Sequence, residues 1–174
     1  MKKIIYTLFF YLSFSLNSSS SFESNPDTND IGTGGREDLS FLNPKTSNFK
    51  KGNNTLNKAI KLLKKKQFEK ANIRLEKSLK YLISANQETP GNIEILSLLG
   101  LNFYLVGDVI MSEIYYQEGL NIDPNNRIIN RRLGELYSNT KRFDLAKERL
   151  KILSYCNCEE YLELKKIIFE AKKF

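Results

Sequence analysis

The sequence predicts an all-α protein: an α-solenoid of about three helix pairs closed by a C-terminal capping helix. Three observations carry this expectation. Leu99-Gly100, Phe103, Val109, Ser112 and Tyr116 are answered 34 residues later by Leu133-Gly134, Tyr137, Phe143, Ala146 and Leu150. A fixed period in this range marks stacked supersecondary units, each a helix pair that leaves an apolar face for its neighbour to cover. From Asn53 onward apolar residues also recur with the helical period. Finally, small residues stand where paired helices would approach closely: Ala59, Gly100 and Gly134 on the first helix of each pair, and Ala71, Ser112 and Ala146 on the second.

The elements follow in chain order. Met1-Lys2-Lys3 and the 13-residue uncharged run Ile4 to Leu16, followed by Ser18-Ser19-Ser20, have the layout of a secretory signal peptide over residues 1–20. The run is shorter than the roughly 20 apolar residues a membrane span needs. No cysteine lies near the cleavage zone to carry a lipid. Residues 21–51 are rich in Ser, Asn, Asp and Gly and read as a flexible linker, with Leu39, Phe41 and Leu42 as a short apolar staple. Gly32, Gly34 and Gly35 lack the preceding strand and the following Lys-Ser/Thr of a phosphate loop.

The helical domain is expected over 52–174. Its first unit, 52–85, aligns with the second at a spacing of 41: Ala59, Leu62, Phe68, Ala71, Leu75 and Leu79 correspond to Gly100, Phe103, Val109, Ser112, Tyr116 and Leu120. The seven extra residues fall between Ser78 and Leu96, which predicts a lengthened second helix from Phe68 to about Ile83 and a break at Pro90-Gly91. Units 93–126 and 127–160 follow. Gly107-Asp108 forms a turn within one, and Asn121-Ile122-Asp123-Pro124-Asn125-Asn126 joins them, because Pro124 cannot continue a helix. Gly119, at a position where alanine would serve, is expected to loosen its helix by about 1 kcal/mol. A helix over 161–173, apolar at Leu162, Leu164, Ile167, Ile168 and Ala171, caps the array.

Leu99-Gly100, Phe103, Gly107-Asp108, Tyr116 and the Asp-Pro-Asn-Asn ending make the second unit resemble a tetratricopeptide repeat, and Leu133-Gly134, Tyr137, Phe143 and Ala146 do the same for the third. The first is degenerate, with Lys58 where the pattern has Leu and no terminal Pro. The resemblance spans residues 52–160 and implies the fold rather than one function. The close Cys158-Glu159-Glu160-Tyr161 with Leu164-Lys165 resembles that of small exported bacterial tetratricopeptide proteins, which implies a bacterial periplasm.

Composition narrows the function classes. The chain has 174 residues, a formal charge of +7 and no histidine. The commonest general base and metal ligand is therefore missing, and no Ser-His-Asp or Cys-His arrangement can form. Residues 52–85 carry nine Lys/Arg against two Glu, whereas 86–126 carry six acids and no Lys/Arg. A basic stretch of this kind, without interleaved aromatics, reads as a solvated face, and no nucleic-acid partner is expected. Glu113, Glu118, Glu135, Asp144 and Glu148 fall on polar helix faces. No catalytic residue, metal site or cofactor is expected, and no membrane span after signal cleavage.

Cys156 and Cys158 are the only cysteines. In an exported protein three readings stand open for them at this spacing: a strained bridge, free or mixed thiols, and a redox or metal role.

The candidate site is the concave groove lined by the first helix of each pair. The repeat pattern places Leu56, Ile60, Leu63 and Lys64 there from the first unit. Glu94, Ser97, Leu101, Tyr104 and Leu105 come from the second, with Arg131, Glu135 and Ser138 from the third. Tetratricopeptide domains that clamp a peptide's terminal carboxylate present Lys, Asn and Arg at such positions; Leu56 and Ile60 do not supply them, and the apolar early part suits an amphipathic or extended peptide. The function expected is non-catalytic protein–protein interaction as a scaffold or adaptor. The alternatives are a self-associating structural subunit and a thiol-active or metal-carrying factor using Cys156 and Cys158.

Overall fold

The computed structural model describes residues 47–172. The expected signal segment, the linker up to residue 46, the staple Leu39, Phe41 and Leu42, and the last two residues lie outside them. Among the described residues there are seven helices and no strand. They are α1 (Ser47–Lys64), α2 (Phe68–Glu88), α3 (Ile93–Val106), α4 (Val109–Ile122), α5 (Arg127–Asn139), α6 (Phe143–Leu153) and α7 (Glu159–Ala171).

Each helix has a local cause. In α1 the buried residues Phe49, Gly52, Leu56 and Ala59 recur at three- and four-residue steps and make one apolar stripe. α2 continues the pattern with Ala71, Leu75, Ser78, Leu82 and Ala85. α3 and α5 open on asparagine caps: the Asn92 side chain accepts from the Glu94 and Ile95 amides, and that of Asn126 from the Ile129 amide, all at 3.1 Å. Asp108 caps α4 through the Met111 amide at 3.0 Å. α4 stops at Ile122, just ahead of Pro124. α7 places Glu159 and Glu160 in its first turn, where the helix dipole favours acids.

Three boundaries differ from the sequence expectation. α1 begins at Ser47, five residues inside the expected linker, because Phe49 is buried in the core. α2 runs past Ile83 to Glu88, with Ala85 fully buried along its extension. α7 starts at Glu159 rather than Tyr161.

Consecutive helices pack on one another along the chain, and α1 also touches α3, α3 touches α5, and α5 touches α7. Leu56, Leu75, Leu82, Ile95 and Leu99 anchor a first core between α1, α2 and α3. Tyr116, Ile129, Leu133, Leu136 and Leu164 anchor a second between α4, α5 and α7.

The small residues are buried as expected. A methyl at Gly100 would enter the Tyr116 ring of α4. Gly134 makes room for a neighbour outside its own pair, Leu164 of α7. Gly119 does more than loosen α4: its missing Cβ admits the end of Ile129 from α5. Of the expected filling layer, Tyr137 is buried, while Leu62 and Phe103 are half-buried; Phe103 stacks on Tyr115 with ring centroids 5.4 Å apart.

Candidate functional site

The expected groove residues divide between two places. Ile60 and Leu63 on α1, and Leu101 and Leu105 on α3, are half-buried against the first core, and Tyr104 leans on the second. Because α1, α3 and α5 touch in series, these side chains share a run of adjoining helices. The Tyr104 hydroxyl accepts from Asn139 Nδ2 at 2.5 Å, and burial raises its pKa above the ordinary tyrosine value. Lys64 is exposed at the end of α1. On α5, Arg131 pairs with Glu135 at 3.0 Å and with Glu163 of α7 at 3.2 Å, so the mixed-charge end is internally neutralised.

Leu56 is a correction. It is fully buried in the first core and presents nothing to a partner, because its place on α1 falls on the stripe facing α2 and α3. Ser138 is likewise buried, its hydroxyl donating to the Gly134 carbonyl oxygen at 2.9 Å.

Glu94 and Ser97 belong to a different surface. They line a cavity of about 430 Å³ between the start of α3, the end of α4 and the start of α5, together with Ile93, Leu98, Ile122, Ile128 and Arg132. Arg132 reaches across from α5, and its Nη1 donates to the Ser97 carbonyl oxygen at 3.0 Å and to Ser97 Oγ at 2.6 Å. Burial pulls its pKa below the ordinary guanidinium value. Sequence reasoning missed Arg132, since adjacent Arg131 fitted the repeat's groove register and Arg132 did not.

The acids considered at sequence level take structural partners where they are buried at all. Glu113 receives Arg142 Nη1 at 2.7 Å and the Tyr137 hydroxyl at 2.9 Å, tying α4 to the third pair. Cys156 and Cys158 are joined as a disulfide between α6 and α7, with Cα atoms 5.2 Å apart. Among the described residues, no group of three or more His, Cys, Asp or Glu side chains is placed to hold a metal ion. No described helix is long and apolar enough to cross a membrane.

No protein-family model matches the chain, and the search of curated proteins finds no match. The class that fold and surfaces define is therefore an all-α chain of consecutively packed helices.

Proposed function

We propose that this chain is a non-catalytic protein–protein interaction module of the tetratricopeptide type, exported to a bacterial periplasm, which holds a peptide or protein segment along α1, α3 and α5. One observation supports the reading above others: these three helices touch in series, and α1 and α3 carry Ile60, Leu63, Leu101, Tyr104 and Leu105 on a half-exposed surface. Apolar side chains at this spacing offer anchor points to an amphipathic or extended segment. The test is site-directed photocrosslinking in intact cells from position 104, with position 73 on α2 as the control, because Ile73 is two-thirds exposed. A discrete adduct from position 104 that is absent from position 73 is expected. Equal adducts from both, or none, would overturn the reading.

A second reading, self-association, draws on the charge distribution. The first helix pair is strongly basic and the second acidic, so a head-to-tail contact between copies would bring opposite charges together. In that case the adduct from position 104 has twice the chain's mass. A monomer by light scattering removes this reading.

A further inference from the structure

The cavity at the start of α3 and α5 has an aliphatic wall of Ile93, Leu98, Ile122 and Ile128 and one cation, Arg132. Among the described residues, no carboxylate lies within ion-pair distance of that guanidinium. Glu135, whose charge acts on it, is engaged by Arg131 at 3.0 Å. Arg132 Nε is buried and has no hydrogen-bond partner. The side chain as a whole is half-buried, and a partly desolvated charge without a counter-ion carries a cost that an anion relieves. A second cavity contains Arg149, whose Nε is also unpartnered, but Glu148 lies 3.9 Å from that guanidinium. The uncompensated cation is at Arg132.

We infer that this cavity binds an aliphatic monocarboxylate of the fatty-acid type, its chain against the four aliphatic side chains and its carboxylate on Arg132. The volume lies within the range of small-molecule sites and accommodates a chain of about ten carbons. The caps of α3 and α5, Asn92 and Asn126, line the same cavity, so the positive ends of two helix dipoles add to the field of Arg132. Glu94 also lines the cavity but is exposed, so solvent screens its charge more than that of Arg132. This site is independent of the peptide surface proposed above and stands or falls without it.

The test is calorimetric and amide-NMR titration of the purified full chain with decanoate below its micelle concentration, with 1-decanol as the uncharged probe. Decanoate is expected to saturate one site, moving the Gly91, Asn92 and Ile128 amides, with decanol at least about tenfold weaker. Arg132→Gln, which keeps a donor for Ser97 but removes the charge, is expected to lower decanoate affinity to that of decanol and leave decanol unchanged. Ile128→Trp fills the cavity from a half-exposed position and breaks no hydrogen bond, so it serves even if Arg132→Gln fails to fold; it is expected to block both probes. Equal affinity for the two probes, undiminished decanoate binding by Ile128→Trp, shifts centred on Leu101 and Tyr104, or no saturation by about 1 mM would each overturn the inference.

Discussion

The Ser78 hydroxyl donates to the Gly52 carbonyl oxygen at 2.8 Å across 26 residues of sequence, and Ser112 does the same to Gly100 at 2.8 Å across 12. At the spacing of 41 that relates the first two pairs, Gly100 and Ser112 correspond to Ala59 and Ala71. Gly52 and Ser78 lie about two helical turns further from the connecting turn on both helices. The first pair therefore makes its close approach twice. That is why α1 and α2 run to 18 and 21 residues while α3 and α4 have 14 each.

Neither glycine leaves room for a methyl group. At Gly100 an added Cβ meets the ring of the fully buried Tyr116, and at Gly52 it meets Cγ and Cδ2 of the fully buried Leu82 at 2.8 Å, with the Leu82 backbone nitrogen at 3.3 Å. Alanine gains about 1 kcal/mol of helix propensity over glycine at either site, against an overpacking cost of about 1–3 kcal/mol where the neighbour cannot yield. Gly100→Ala and Gly52→Ala are each expected to destabilise by about 1–2 kcal/mol. Urea unfolding followed by circular dichroism measures both, and a variant as stable as the parent would show that its neighbour moves freely.

Lys66, Gly107 and Lys141 all sit at positive φ, at 58°, 88° and 61°. They occupy equivalent turns: the next amide bonds back to Leu62, Phe103 and Tyr137 at 3.0, 2.9 and 2.8 Å. A left-handed residue with a Cβ costs about 1–2 kcal/mol relative to its preferred conformation, and glycine returns part of that in unfolded-state entropy. Lys66→Gly and Lys141→Gly are each expected to stabilise by about 0.5–1 kcal/mol, seen as a higher urea midpoint at constant slope. Gly107→Ala is expected to destabilise by a similar amount.

These turns show what was legible in the sequence. Glycine at 107 announced its conformation, but lysine at 66 and 141 gave no such signal, and the turns were placed only through spacing. The helices were readable because burial at three- and four-residue steps leaves a periodic trace. The start of α1 was not, because Ser47 to Lys51 has a linker's composition and its single core residue, Phe49, is too little to make a period. Of the residues the groove register selects, Ile60, Leu101 and Tyr104 are half-buried, whereas Leu56 is fully buried, since the neighbouring stripe at the same period faces the core. Arg132 was hidden for a related reason: its importance comes from the carboxylate it lacks, and an absence across helices leaves no mark on the local pattern.

Burial, the largest cause at each, raises the pKa of Tyr104, Tyr115, Tyr116 and Tyr137 above the ordinary value of 10.0. Tyr116 is fully buried, with Arg132, Arg131 and Glu135 acting on it from α5. Because the folded pKa lies above the unfolded one, the stabilisation is complete below pH 10.0 and is lost as pH rises beyond it. The loss for Tyr116 approaches about 1.4 kcal/mol per pH unit. Tyr116→Phe keeps the ring and removes the titration. Urea unfolding at pH 9, 10 and 11 is expected to show a shallower decline for this variant than for the parent, and parallel declines would place the alkaline weakness elsewhere.

Between Ser47 and Glu88 the chain carries eleven Lys and Arg, all exposed, against three Glu. Lys58, Lys61 and Lys64 follow one another at three-residue steps on α1, and Lys70, Arg74, Lys77 and Lys80 at three- and four-residue steps on α2. Like charges at these spacings each cost about 0.2–0.5 kcal/mol, and added salt screens them as the Debye length falls from about 30 Å at 0.01 M to about 3 Å at 1 M. Raising NaCl from about 20 to about 500 mM is therefore expected to raise the melting temperature by a few degrees. Lys61→Glu with Arg74→Glu turns repulsive neighbours into attractive ones and is expected to stabilise by about 0.5–1 kcal/mol at low salt. The same double variant should flatten the salt dependence. A parent and variant that respond equally to salt would mean that these cations do not strain the first helix pair, and the salt response would then belong to hydrophobic burial alone.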